Sequence, residues 1–200
     1  MLFDDTYNEI ASHNFAIYNE KRSRFIAYAY NIYNIEEIKS QIDIIKKKEP
    51  GANHYCYAYI LHPNKCEYRF SDDGEPNNTA GRQILKEIQK LELTNILIVV
   101  VRYFGGIKLG IRGLINSYQT VTELALKNVK ILKKNITTKY IIHFPYGETH
   151  SVIKLIKDYN LKVVEKSIDM TCQIILLITK KDENKIIDKF KKINNLEIIY

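Results

Sequence analysis

The chain reads as an α+β protein built from two domains, and three observations predict this. Residues 94–103, TNILIVVVRY, are an uninterrupted and largely β-branched run, the pattern of a strand covered on both faces in the middle of a sheet. Isoleucines 35, 38, 42 and 45 and the apolar set Ile84, Leu85, Ile88 and Leu91 recur at helical spacing. From residue 137 onward the expected elements run β-α-β-β-α-β, the order of a ferredoxin-like plait. The alternative arrangement is a single sheet continuous through both halves.

The elements follow in order. The first clear strand lies in KRSRFIAYAYNI, where Phe25, Ala27 and Ala29 alternate with Ile26, Tyr28 and Tyr30. Asn34 caps the next helix, with Glu37 at the third helical position of a capping box, and Pro50-Gly51 stops it. NHYCYAYIL, at 53–61, and CEYRF, at 66–70, form a hairpin across Pro63-Asn64. SDDGEPNNT is a loop whose Thr79 caps the following helix. After the central strand and a glycine-rich loop, Leu114, Ile115, Tyr118, Val121 and Ala125 mark a long helix. Residues 128–137 are lysine-rich with little pattern and serve as a linker or shared edge, so the domains are 1–130 and 137–200. In the second, the helix beginning near residue 182 is capped by Asp182 and buries Ile186, Ile187, Phe190 and Ile193.

Composition narrows the class. A 200-residue chain that is 46% hydrophobic and 26% charged has enough apolar surface for a substantial core. Its net charge is +7, and the excess is uneven: residues 1–130 carry 17 Lys and Arg against 15 Asp and Glu, residues 131–200 carry 13 against 8. A basic surface favours phosphate backbones and other polyanions. Three cysteines, with Cys56 and Cys172 in apolar runs and no CxxC, fit buried thiols of a reducing compartment and disfavour zinc. The acidic start MLFDDTYNEI is no signal peptide, and the apolar runs are too short to span a bilayer. A cytoplasmic protein without a membrane partner is expected.

Two loops concentrate the chemistry. YRFSDDGEPNNTAGR places Asp72, Asp73 and Glu75 around Gly74, four residues before Thr79. Such carboxylates suit Mg²⁺, or a partner surface, or the plainer task of accepting backbone N–H bonds and capping the next helix. RYFGGIKLGIRG holds Arg102, Tyr103, Gly105, Gly106, Lys108, Gly110, Arg112 and Gly113 between the central strand and a helix, where backbone N–H groups and cations can cradle an anion. It matches neither the phosphate-loop nor the dinucleotide motif. Its G-x-x-G resembles an RNA-backbone clamp, but the surrounding elements do not follow that fold. The glycines equally serve close packing at a strand–helix corner. Ser71, His54 and Asp72 lack the glycine-flanked elbow of a nucleophilic serine, so no catalytic residue is assigned.

The motifs SRFIAYA, ANHYCYAY, RFSDDGEPNNTAGR and NILIVVVRYFGGIKLG, over roughly residues 20–125, resemble the YigZ/IMPACT family in its bacterial two-domain form. That resemblance implies an N-terminal domain with the fold of the second domain of a small-subunit ribosomal protein. It also implies a C-terminal plait like a domain of translation elongation factors. Binding of nucleic acid, or work near the translation machinery, is implied with it. The family's usual Ser-Gly-Thr-Ala-Gly is here Asn77-Asn78-Thr79-Ala80-Gly81, so Asn78 takes a glycine-like place. An arginine usual in the following helix is replaced by Asn116, and Arg112 stands one turn earlier, within reach of Asp73 if the two loops pack together.

The first reading is therefore a non-enzymatic binding protein, associated with RNA or the ribosome. Arg102, Lys108 and Arg112 hold phosphate and Tyr103 stacks on a base, Phe104 beside it forming an exposed aromatic pair unless both rings finish the core of the central strand, with no cofactor required. Two alternatives stand beside it: a Mg²⁺-dependent enzyme acting on a phosphorylated substrate, and a protein-interaction module without a ligand. A monomer is the simplest expectation for the oligomeric state.

Overall fold

The computed structural model describes residues 5–127, 129–169 and 171–199. The chain divides into two compact units: Tyr7–Lys134, and the remainder from Asn135 together with Asp5 and Thr6.

The first unit is built on a five-stranded antiparallel sheet. Its strands are β2 (Asn14–Glu20), β3 (Ser23–Asn31), β4 (His54–Leu61), β5 (Glu67–Ser71) and β6 (Ile96–Tyr103), in spatial order β2-β3-β6-β4-β5. The β-branched run is thus central, with its residues from Ile96 to Val101 fully buried. Period-two alternation sends Ile98, Val100 and Arg102 to one face and Val99, Val101 and Tyr103 to the other. Helix α1 (Ile35–Lys48) covers the second face, its Ile38 and Ile45 packing on Ile26, Tyr28, Leu97 and Val99. Helices α2 (Gly81–Lys90) and α3 (Gly110–Lys127) cover the first, where Ile84, Ile88, Tyr118 and Val121 meet Phe25, Cys56, Ile98 and Val100. The capping box of α1 forms as expected: Glu37 N donates to Asn34 Oδ1 at 2.8 Å, and Tyr33 N donates to Glu37 Oε2 at 3.1 Å.

Two strands lie outside those that the sequence pattern predicts at the N-terminus, β1 (Thr6–Ile10) and β2. β2 is a sheet edge whose Phe15 and Ile17 face solvent, which blurs its alternation. A third lies within the segment read as a linker or shared edge: β7 (Ile131–Asn135) pairs with β1 in a two-stranded ribbon. Its period-two signal is masked by lysines. Lys134, its side chain still 42% exposed, forms an ion pair with the buried Glu9, so a charged residue occupies a position where an apolar one would announce a strand.

The second unit runs β8 (Thr137–Pro145), a 3₁₀ turn (Tyr146–Glu148), α4 (Thr149–Asp158), β9 (Lys162–Ser167), β10 (Thr171–Thr179), α5 (Glu183–Phe190) and β11 (Glu197–Ile199). The sheet order is β11-β8-β10-β9 and every pairing is antiparallel, which is the ferredoxin-like plait. Ile142, Phe144, Val152, Leu176, Ile178 and Phe190 form its core. Asp182 precedes α5 but makes no capping bond; its carboxylate instead accepts from Thr179 Oγ1 at 2.8 Å. The short distance in sequence lets the hydroxyl compete for the same oxygen.

Candidate functional site

The site is assembled at one end of the five-stranded sheet, where register sets the partners. Antiparallel pairing aligns His54, Arg102 and Phe25 in one row across β4, β6 and β3, all on the face covered by α2 and α3. Arg102 therefore leaves the last turn of pleat into the core. Its side chain is 6% exposed, and Nη1 donates to Glu75 Oε1 at 2.6 Å across a carboxylate only 3% exposed. Nη2 lies 3.4 Å from Ser23 Oγ, and the guanidinium sits 5.4 Å from the Phe25 ring centroid and 5.5 Å from that of Phe104. Nε is buried without an acceptor among the described residues.

The acidic loop is explained largely by this packing. Glu75 Oε1 also accepts from the fully buried Tyr118 hydroxyl at 2.9 Å. The Cys56 thiol lies 3.3 Å from that hydroxyl and 3.0 Å from Asp72 O. Burial pushes the Cys56 thiol and the Tyr118 phenol up from their ordinary values, so both stay protonated at neutral pH and Cys56 is no nucleophile. Asp72 turns the other way. Its Oδ1 accepts from Ala80 N at 3.0 Å and Gly81 N at 2.9 Å, and its Oδ2 from Asn78 N at 2.8 Å. The cap of α2 is thus Asp72, nine residues upstream of the helix's first residue, and not Thr79, whose hydroxyl donates to Pro76 O at 2.7 Å. Asp73 Oδ2 accepts from Tyr55 N at 2.6 Å, so Arg112, exposed and without an ion pair to any described residue, does not meet it. The three carboxylates serve three different partners. No group of three or more His, Cys, Asp or Glu among the described residues is placed to hold a metal ion. Replacing Asp72 by alanine removes three acceptor bonds at one helix terminus, and is expected to lower stability by about 2 kcal/mol in a urea titration.

Asn78 takes φ +64°, the left-handed conformation expected of a residue in glycine's place. Gly74, at φ +84°, lies under the His54 ring. His54 Nδ1 is 2.8 Å from Asp73 O. A carbonyl only accepts, so Nδ1 carries the hydrogen and Nε2 of the neutral ring is left as an acceptor.

The glycine loop spreads its residues over distinct tasks. Gly105 packs on the backbone of Arg22 and donates its N–H to Ser23 Oγ at 3.3 Å. Gly106 and Gly110 hold φ of +83° and +72° in open space, and Gly113 lies within α3. Lys108 and Arg112 are exposed. Tyr103 departs from the stacking role expected of it. One residue beyond Arg102 on a pleated strand, it faces α1, where its hydroxyl donates to Glu49 Oε2 at 2.9 Å. The neighbouring Phe104 is the exposed aromatic, 44% accessible, with its N–H donated to Asn53 Oδ1 at 2.7 Å. Arg102 is likewise withdrawn from the surface by Glu75.

The two loops do face each other. A cavity of about 450 Å³ lies between them, walled by His54, Glu75, Arg102, Phe104, Lys108 and the first turn of α3. Sequence reasoning pairs Phe104 with Tyr103 as candidate stacking rings but does not bring His54 and Asn53 here, because only the strand register sets β4 beside the glycine loop. It also misses Lys21 and Arg22. These are the two central residues of the hairpin joining β2 to β3, where Glu20 pairs with Ser23, and the hairpin abuts Gly105.

Comparison with known proteins agrees with these motifs. Residues 21–126 match the Impact N-terminal domain. The chain is 34% identical over 163 residues to an IMPACT family member of Haemophilus influenzae, covering 80% of this chain and 79% of that protein. It is 31% identical over 146 residues to the IMPACT family member YigZ of Escherichia coli, covering 72% of each. The crystal structure of a hypothetical protein superposes with a TM-score of 0.75 at 25% identity, covering 98% of this chain and 97% of that one. No helix among the described residues is long and apolar enough to cross a membrane. With its N-terminal domain matched and relatives aligned over most of their length, the chain belongs to the IMPACT family.

Proposed function

We propose that the chain is a non-enzymatic, cytoplasmic RNA-binding protein of the translation apparatus, and that it grips RNA phosphates with the glycine-loop end of its first unit. The observation that carries this reading is a group of exposed cations at that end. Lys21 and Arg22 are brought against Gly105 by the β2–β3 hairpin, and Lys108 and Arg112 stand on the loop and the first turn of α3. None of the four forms an ion pair with a described residue, so their charge is available to a polyanion. The hairpin supports the same reading. Lys21 and Arg22 both take positive φ, +42° and +66°, in a two-residue turn that favours Asn-Gly. Strain kept at two long cations points to a use for their side chains. The two domain folds that the family resemblance implies, one like a ribosomal protein and one like an elongation factor, support looking for that RNA near the ribosome.

Filter binding of total cellular RNA tests this. Four phosphate contacts to single-stranded RNA predict a salt slope of about −2.8, so raising salt fourfold weakens binding about 50-fold. Lys21→Ala/Arg22→Ala/Lys108→Ala/Arg112→Ala is expected to remove most of both the affinity and the slope. Salt-insensitive binding, or none by the unaltered protein, would overturn the reading and favour a protein partner.

A further inference from the structure

The cavity beside those cations has a composition that a phosphate backbone alone does not require. Its cationic and anion-binding groups lie on one side. Lys108 is exposed there, and α3, 18 residues long, begins at Gly110 with no acidic residue in its first turn. Leu109 precedes it and offers no oxygen to the first N–H groups, which have no partner within a helix. Those groups favour an anion. Independently, Arg102 lines the same cavity with a buried Nε that lacks an acceptor. A fully buried donor left unpaired is uncommon in folded proteins, so the wall that Arg102 forms is more than plain core packing.

The other walls carry a different chemistry. Phe104 is 44% exposed with the Arg102 guanidinium 5.5 Å from its ring centroid. Beside it stand acceptors: Nε2 of His54, left free by the bond from Nδ1, and Glu75 Oε2, which takes neither of the bonds made to Oε1. Asn53 adds a donor, because its Oδ1 already accepts from Phe104 N. Acceptors on the wall repel a bare oxyanion. A heterocyclic base, with donors and acceptors along one edge and a face to stack, satisfies them. The cavity of about 450 Å³ is of ligand size and has room for one nucleotide, not for a helix.

We propose that this cavity takes a single unpaired nucleotide, its base against Phe104 and Arg102 and its phosphate at Lys108 and the first turn of α3. The inference rests on the RNA reading of the same end of the unit and names what that end selects: an exposed nucleotide, whether free or within an RNA chain. Amide chemical shifts of the ¹⁵N-labelled full chain are to be followed against four nucleoside 5′-monophosphates and inorganic phosphate, with a short unstructured RNA titrated in parallel. At least one mononucleotide is expected to shift the amides of residues 104–113 and to bind more tightly than phosphate. Phe104→Ala, at a solvent-exposed side chain, is expected to weaken that mononucleotide about tenfold while leaving phosphate binding unchanged. If RNA binds and no mononucleotide moves those amides, the pocket is overturned and the RNA reading stands. If a mononucleotide binds there and RNA does not, the pocket stands as a free-nucleotide site and the RNA reading falls. Equal affinity for phosphate and mononucleotide, or no effect of Phe104→Ala, removes the base subsite and with it the proposal. Silence toward every probe overturns both.

Discussion

Glu75→Ala is expected to destabilise the first unit by about 3–5 kcal/mol, the usual consequence of removing one partner of a buried ion pair. The reason is the position of Arg102. Strand pairing places it in the row with His54 and Phe25, and only 6% of its side chain remains exposed to water. Without Glu75 the Arg102 charge keeps one long hydrogen bond, to Ser23 Oγ at 3.4 Å, and the faces of Phe25 and Phe104, none of which carries a negative charge, and the Tyr118 hydroxyl loses its acceptor as well. Glu75→Gln separates the two effects, since the amide oxygen still accepts from Tyr118 but no longer neutralises Arg102. It is expected to fall between the alanine variant and the natural protein. The converse replacement, Arg102→Met, strands the carboxylate. Glu75→Leu/Arg102→Met removes both charges together, and should cost less than the sum of its single changes by about 2 kcal/mol. Urea unfolding monitored by circular dichroism reads each value. A cost below about 1 kcal/mol for Glu75→Ala would mean that water reaches Arg102 and that the pair is not what closes this end of the core.

The same ion pair shows where sequence reasoning reaches its limit. The central strand, both helices that flank it, the hairpin of β4 and β5 and the plait were legible, because each announces itself by local period or by β-branched content. So was the tolerance of Asn78 for positive φ. What local pattern does not carry is the register between strands, and here register decides which side chains meet at the cavity. The motif RYF reads as a cation followed by two aromatics. In the sheet, pleat sends Arg102 and Tyr103 to opposite faces, so Arg102 joins Glu75 in the core, Tyr103 joins Glu49 under α1, and Phe104 is the ring left at the surface. The aspartates follow the same logic. Asp72 and Asp73 look equivalent in sequence, yet one caps α2 and the other accepts from the edge of β4. The Lys21-Arg22 turn is adjacent to the glycine loop only because β3 pairs with β6, and no motif within either stretch reports the other.

Gly105→Ala is the second change with a large expected effect, and it connects packing to the proposed RNA grip. A Cβ at residue 105 would lie 2.1 Å from both the carbonyl carbon and oxygen of Arg22 and 2.6 Å from its Cβ. The obstacle is mostly backbone, so no rotamer change relieves it, and either the hairpin or the glycine loop must move. The hairpin has little slack, since Lys21 and Arg22 already hold positive φ within a two-residue turn. A loss of about 3 kcal/mol or more is expected, at the upper end of what overpacking costs. Gly106→Ala is the matched control. Nothing lies within 4 Å of its added Cβ, and only the left-handed φ of +83° is penalised, by about 1 kcal/mol. Neither substitution changes a charge. If the hairpin cations and Lys108 act together on RNA, Gly105→Ala should also weaken filter binding by separating them, while Gly106→Ala, one residue away, should bind as the natural protein does. A Gly105→Ala variant that unfolds at the natural urea midpoint would show that the hairpin yields freely. If that variant destabilises the fold yet binds RNA unchanged, the cations work independently of the contact that brings them together, and the grip is a diffuse surface rather than a built one.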